Sequence, residues 1–77
     1  MVLQDVQKGK SYLVERLDLP VETLRRLEAL GMIPGTKIDV LNTKSHGTII
    51  IKMRQTRFAL GKGITTNIQV KEYQNHE

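Results

Sequence analysis

Apolar and polar residues alternate along five short segments of the chain, whereas apolar residues recur every third position along one other segment. Alternation with a period of two is typical of half-buried strands, and the longer period indicates a helix. The pattern predicts a helix over 21–30 and a single helical turn within 61–66. The predicted strands are 11–17, 36–43, 48–54, 56–60 and 67–73.

The predicted helix carries an apolar stripe formed by Val21, Leu24, Leu27 and Leu30, which we expect to face the core. The strands supply the other inward-facing side chains. The residues predicted to form the core are Leu24, Leu27, Leu30, Ile38, Val40, Ile49, Ile51, Ile68 and Val70.

Glycine and proline define the end of this helix. Gly31 follows the last stripe residue, where a helix ends readily in the left-handed conformation that glycine tolerates. Met32 then occupies the position that packs back onto the last helical turn, near Leu27. Pro34 and Gly35 fit the two central positions of a type II turn. The segment therefore predicts a helix stop, a tight turn and a new strand.

The order of elements is one strand, one helix and then four closely spaced strands. Strands joined by short connections pair as antiparallel neighbours, and a strongly bent barrel encloses a core with few residues. We predict a mainly β fold, a small SH3-like barrel of about five antiparallel strands with one α-helix inserted after the first strand. Residues 1–77 form a single domain in this prediction, with a frayed tail at 74–77.

Composition narrows the possible functions. The chain has 77 residues, no cysteine and a net charge of +4, so disulfides and thiolate metal sites are excluded. The positive charge suits an acidic protein surface, a nucleic acid or a membrane surface. The sequence shows neither a signal peptide nor a run of about 20 apolar residues, and we expect a cytoplasmic location.

Candidate catalytic chemistry is sparse. The sequence has no nucleophile elbow and no phosphate-binding glycine loop of the usual length, so no enzymatic activity, catalytic residue or cofactor is predicted. The two histidines are His46, in a predicted turn, and His76, in the tail. A metal site would require both together with carboxylates such as Asp39 or Glu72, and none is predicted.

Residues 26–36 read RLEALGMIPGT and resemble the core motif of the FeoA family of ferrous iron transport proteins, R-L-x-x-L-G-[apolar]-x-P-G. The resemblance extends over nearly the whole chain, from the lead-in glycine Gly9 to the closing Ile68-x-Val70. The same motif is shared by SH3-like C-terminal domains of iron-dependent repressors. The segment Gly61-Lys62-Gly63 departs from the family pattern, which usually has arginine and helix-forming residues there.

The resemblance implies a non-enzymatic accessory protein that binds FeoB, the membrane ferrous iron transporter whose cytoplasmic part is a GTPase. Arginines on the helix beside apolar residues at its end suit an acidic partner surface. The residues predicted to contact the partner are Arg25, Arg26, Met32, Ile33 and Lys62.

Nucleic-acid binding is the alternative function, because small basic β-barrels often bind RNA or DNA. Such sites usually include exposed aromatic rings for base stacking, and the chain offers only Tyr12, Phe58 and Tyr73. Nucleic acid is therefore not the expected partner. The cations that could form a basic stripe are Lys44, Lys52, Arg54, Arg57, Lys62 and Lys71.

Overall fold

A computed structural model describes residues 1–74, and the last three residues lie outside the described part. Most of the frayed tail predicted at 74–77 therefore falls outside it. The chain opens with a 3-10 turn at Leu3–Asp5. The helices are α1 (Val21–Ala29) and α2 (Lys62–Thr65). The strands are β1 (Ser11–Leu17), β2 (Lys37–Thr43), β3 (Ile49–Met53), β4 (Thr56–Leu60) and β5 (Ile68–Glu72). Each predicted element is present, with ends that differ by at most one residue for the strands and for α1.

The five strands form one antiparallel sheet in the order β4-β3-β2-β1-β5. The pairing register shifts between Val14 and Arg16 in β1 and between Val40 and Asn42 in β2. Such irregularities bend a strand and increase its twist, which curves the sheet around a single core. The predicted mainly β, SH3-like architecture with a helix after the first strand is confirmed.

The shift in β1 also explains its imperfect alternation. Strict alternation over 11–17 would place Leu17 on the same face as Leu13, opposite Tyr12 and Val14. In the structure Tyr12 and Val14 are buried, but after the shift Leu17 also packs against the core. A strand reverses its facing wherever one residue is inserted into the ladder, so strict alternation fails at this point.

The concave face of the sheet carries the core, which the 3-10 turn and α1 complete. Six of the predicted core residues, namely Ile38, Val40, Ile49, Ile51, Ile68 and Val70, are all at most 2% exposed. Tyr12 joins them at 1% exposure, and its hydroxyl accepts a hydrogen bond of 3.0 Å from the Gln7 N–H. This bond satisfies the one polar group of a large buried ring.

The predicted helix stripe is wrong at both ends. Leu27 is buried at 6% exposure and Leu24 is half-buried, but Val21 is 60% exposed and Leu30 is 47% exposed. A step of three residues turns a side chain by about 300° around an α-helix, so a strict three-residue repeat drifts by about 60° per step. Val21 and Leu30 are therefore half a turn apart, and only the middle of the stripe can face the core. Leu30 is not a core residue.

The end of α1 is the predicted helix stop. The Met32 N–H donates to the Leu27 carbonyl at 3.0 Å and the Gly31 N–H donates to the Glu28 carbonyl at 2.9 Å. Gly31 has φ +100°. This is the Schellman pattern, in which a left-handed residue lets two final helix carbonyls find donors. Met32 is buried, so its side chain anchors the helix end in the core.

The Pro34-Gly35 turn holds the next strand against β1. Its Thr36 N–H donates to the Ile33 carbonyl at 3.0 Å, and Gly35 has φ +93°, as a type II turn requires. The Gly35 N–H donates to the Val14 carbonyl at 2.7 Å, and the Val14 N–H donates to the Thr36 carbonyl at 2.9 Å. The turn is thus part of the sheet's hydrogen-bonding system.

Candidate partner-binding surface

The two predicted contact residues on α1 are exposed. Arg25 lies about 160° from the buried Leu27 around the helix and Arg26 about 100° from it, and both are exposed to solvent. Among the described residues, neither guanidinium forms a salt bridge. Both arginines are therefore accessible to an acidic partner.

The two predicted apolar contacts beyond the helix have different environments. Ile33 is 42% exposed and borders the turn. Met32 is only 1% exposed, because the Schellman ending directs its side chain inward. Met32 therefore offers almost no exposed surface to a partner and contributes by fixing the helix end. Its contact with a partner stays a prediction.

Lys62 lies at the other end of the barrel. A Cβ placed on Gly47, in the β2–β3 loop, would come within 2.9 Å of the Lys62 Cβ, so the lysine stem covers that glycine. The β3–β4 turn beside Ile33 begins one strand length away, and the five residues of β3 rise roughly 13 Å over four steps. The structure thus does not bring Lys62 together with the α1 arginines and Ile33.

A cleft of about 630 Å³ lies between the turn that follows α1 and the outer face of β2 and β3. We call it the basic cleft, because three of its side chains are cations and one is a carboxylate. Its lining residues are Ile33, Pro34, Gly35, Thr36, Lys37, Asp39, Lys52, Arg54 and Gln55.

The carboxylate of the basic cleft is already engaged within the chain. Asp39 accepts a 2.5 Å hydrogen bond from the Ser11 hydroxyl, and its Oδ1 lies 3.9 Å from Lys37 Nζ. Lys37 Nζ also lies 4.6 Å from the centroid of the Tyr73 ring. Asp39 and Lys37 thus partly neutralise each other.

The remaining cations beside the cleft have no such partner among the residues that the structure describes. Lys52 of β3 lies opposite Asp39 on one side and opposite Arg57 of β4 on the other. Within residues 1–74, no carboxylate lies within 4.0 Å of the charged nitrogens of Lys52, Arg54 or Arg57. Like charges directly opposite each other on a sheet are destabilising. This concentration of positive charge is therefore a candidate site for anionic groups.

Sequence reasoning identified these cations but did not group them. It placed Lys52, Arg54 and Arg57 in one stripe with Lys44, Lys62 and Lys71. The register of the two-residue β3–β4 turn was the available signal, because it places Lys52 opposite Arg57. What sequence could not show is that the Ile33–Lys37 segment folds back beside them.

The aromatic residues give little support to base stacking. Tyr12 is buried, Phe58 is half-buried against the core, and Tyr73 is 36% exposed with Lys37 over its ring. Sequence-tolerant nucleic-acid binding usually combines a basic groove with several exposed rings. The described surface supplies the charge but not the stacking rings.

The described part of the chain is also informative about metal sites and membrane-spanning helices. It holds no group of three His, Cys, Asp or Glu side chains arranged to bind a metal ion, and His46 lies exposed in its loop. His76 lies outside the described residues, so the expectation of no metal site stays a prediction. No described helix has the length and apolar character to cross a bilayer.

A family model and a curated relative both connect this chain with iron transport proteins of the FeoA type. A family model described as the FeoA domain matches residues 1–72. A protein named "Putative Fe(2+) transport protein A" from Methanocaldococcus jannaschii is 26% identical over 66 residues, which cover 86% of this chain and 79% of that protein.

Solved structures share the fold. The crystal structure of an iron uptake regulatory protein (FeoA) has a TM-score of 0.85 and 29% identity, covering 95% of this chain and 97% of that one. The solution structure of FeoA from Chlorobium tepidum has a TM-score of 0.88 and 23% identity, covering 100% and 74%. The cadmium-bound repressor ScaR has a TM-score of 0.82 and 22% identity, but this chain covers 35% of it. The similarities to the Chlorobium protein and to ScaR show the fold alone.

Proposed function

Because this chain belongs to the FeoA family, we propose that it acts in ferrous iron transport by binding the cytoplasmic part of a FeoB-type transporter, which contains its GTPase domain. The observation that carries the proposal is the family match over residues 1–72. The name of the Methanocaldococcus relative, an Fe(2+) transport protein A, agrees with the transport role. Family membership indicates that this chain is an accessory protein of transport. We propose that it is not an enzyme and that it acts in the cytoplasm.

The surface supports a binding role of this kind. Arg25 and Arg26 present two guanidinium groups on an exposed helix face, neither in a salt bridge within residues 1–74, and Ile33 adds exposed apolar area at the helix end. Arginine beside apolar residues is enriched at protein interfaces, and complementary charge raises association rates and selects partners. A bound accessory protein changes its partner's activity only if it prefers one of the partner's conformations.

The test is a binding and activity measurement with the purified cytoplasmic part of the transporter. We expect saturable binding and a change in the rate of GTP hydrolysis when this protein is added. Absence of binding at concentrations of tens of micromolar, together with an unchanged hydrolysis rate, would contradict the proposal.

A matched pair of variants locates the contact. The double variant Arg25→Glu/Arg26→Glu should weaken binding at least tenfold, because two attractive charges become repulsive. Lys8→Glu/Lys44→Glu makes the same change in net charge at exposed positions elsewhere and should have a much smaller effect. Equal losses for both pairs would show that only total charge matters and that α1 is not the contact.

Nucleic acid is the second candidate, and the grouping of Lys52, Arg54 and Arg57 favours it. A gel shift with single-stranded and duplex oligonucleotides at 50 mM and 200 mM salt tests it. Phosphate-driven binding falls steeply over that range. A strong, salt-sensitive shift together with no transporter binding would favour the nucleic-acid function.

A further inference from the structure

We propose that the basic cleft is a binding site for an acidic peptide segment of the partner protein, one that carries at least two carboxylates beside an apolar side chain. The identity of that partner rests on the function proposed above. The chemistry of the site rests on the walls, charges and turn geometry of the cleft itself.

One wall of the basic cleft is fixed before any ligand arrives. The Thr36 hydroxyl donates to the Gly31 carbonyl at 3.1 Å and accepts from the Ile33 N–H at 3.3 Å. The Gly35 N–H donates to the Val14 carbonyl at 2.7 Å. These bonds tie the turn both to the end of α1 and to β1. A ligand therefore meets a preorganised wall, and less conformational entropy is lost on binding.

The charges of the cleft are arranged to leave two cations available. Asp39 faces Ser11 and Lys37, as described above, and does not approach Lys52 within 4.0 Å. Lys52 lies opposite Asp39 on β2 and opposite Arg57 on β4. A carboxylate placed between Lys52 and Arg54 would gain two attractive partners and would relieve the repulsion between Lys52 and Arg57.

The turn that carries Arg54 is an independent indication. Arg54 and Gln55 have φ values of +52° and +67°, which are left-handed at both central positions of the hairpin turn. Hairpins of this type favour Asn-Gly, because a Cβ is strained there. Unfavourable backbone conformations cluster at functional sites. Here the turn makes Arg54 a lining residue of the cleft, with its Nε 3.1 Å from where a Gly31 Cβ would lie.

The same features favour a peptide over a nucleic acid. Ile33 and Pro34 give the cleft an apolar rim, which suits an aliphatic side chain and contributes nothing to a phosphate backbone. The volume of about 630 Å³ lies within the range of specific ligand sites.

The first experiment needs no transporter. The fluorescent peptide acetyl-GELDELDG-amide is titrated with the whole protein, and its amide counterpart acetyl-GQLNQLNG-amide serves as the uncharged control. Backbone amide NMR shifts locate the site. We expect the acidic peptide to bind roughly tenfold more tightly than its counterpart, with the largest shifts at Gly35, Lys37, Lys52 and Arg54.

Variants separate the cleft from general positive charge. Lys52→Gln/Arg54→Gln should weaken binding of the acidic peptide roughly tenfold, whereas Lys8→Gln/Lys44→Gln, with the same net charge, should stay within about twofold. Circular dichroism melting curves confirm that both pairs fold. Equal weakening by the two pairs, or shifts spread over the whole surface, overturns the proposal. So does tighter binding of an eight-nucleotide oligothymidylate in the same cleft, which would assign the cleft to nucleic acid.

The second experiment repeats the variants with the cytoplasmic part of the transporter. Weaker binding by Lys52→Gln/Arg54→Gln alone supports both proposals. If that pair binds as well as the unmodified protein, the cleft proposal fails and the transporter function stands. If the unmodified protein binds the acidic peptide in the cleft but not the transporter, the transporter function fails and the chemistry of the cleft stands.

Discussion

Replacing Gly31 by alanine should destabilise the protein through the backbone at the end of α1. Gly31 has φ +100°, well beyond the value of about +57° at which the left-handed region is centred. Its N–H and that of Met32 close the helix by donating to the Glu28 and Leu27 carbonyls. An alanine must therefore either accept a strained conformation or give up these two hydrogen bonds.

The magnitude follows from three terms. A left-handed conformation costs an L-residue about 1–2 kcal/mol. The new Cβ would lie 3.1 Å from Arg54 Nε and 3.2 Å from its Cδ and Cζ, and moving that flexible side chain off its rotamer costs about 0.5–1 kcal/mol. Alanine also restricts the unfolded chain, which returns about 0.4–1 kcal/mol. The terms combine to about 0.5–2.6 kcal/mol, and we expect a net loss near the middle of that range, about 1–2 kcal/mol.

Urea and thermal unfolding followed by circular dichroism measure this loss. At roughly 0.05–0.15 kcal/mol per residue, a domain of this size has a total stability of about 4–12 kcal/mol. A loss of 1–2 kcal/mol should lower Tm by roughly 4–16 °C. Gly63→Ala is the matched control, because Gly63 lies in α2 with nothing within 4 Å of an added Cβ. It should be neutral or stabilising by up to about 1 kcal/mol.

A double-mutant cycle with Arg54→Ala separates the two costs. If the side-chain contact contributes, Gly31→Ala should cost about 0.5–1 kcal/mol less when Arg54 is absent. If the backbone is the whole cause, the two changes should be additive. A Gly31→Ala protein within about 0.5 kcal/mol of the unmodified one, or a Gly63→Ala protein equally destabilised, would refute the reasoning.

Three further predictions test other parts of the structure by the same unfolding assays. Leu27→Ala should cost about 2–5 kcal/mol and Leu30→Ala less than about 1 kcal/mol, because 6% and 47% of these side chains are exposed; similar losses would contradict the drift of the helix stripe. Arg54→Asn/Gln55→Gly should add about 1 kcal/mol by relieving two left-handed residues, and no gain would mean that the turn is unstrained. Thr65→Val should cost about 1 kcal/mol, because the Thr65 hydroxyl, which belongs to a fully buried residue, donates a 2.5 Å hydrogen bond to the side-chain oxygen of Gln4 in the 3-10 turn. An unchanged Tm would show that this bond is not stabilising.

The candidate site was only partly predictable. Exposed Arg25, Arg26 and Ile33 are where the sequence placed them, on and beside the helix. The sequence did not distinguish Met32 and Lys62 from these exposed residues. Neither the inward packing of Met32 nor the position of Lys62 at the other end of the barrel changes the local spacing of residues along the chain. The contacts of all these residues with a partner remain predictions.

Local chemistry determined the elements themselves. Alternation fixed the strands, and Gly31 and the Pro34-Gly35 pair fixed the helix stop and the turn, since each depends on backbone preferences that act within a few residues. Tertiary structure decided which helix residues face the core, because Leu30 differs from Leu27 only in its angle around α1. Tertiary structure also forms the basic cleft. Lys52 and Arg54 lie beside the Ile33–Lys37 segment because the sheet is curved and the turn is hydrogen-bonded to β1.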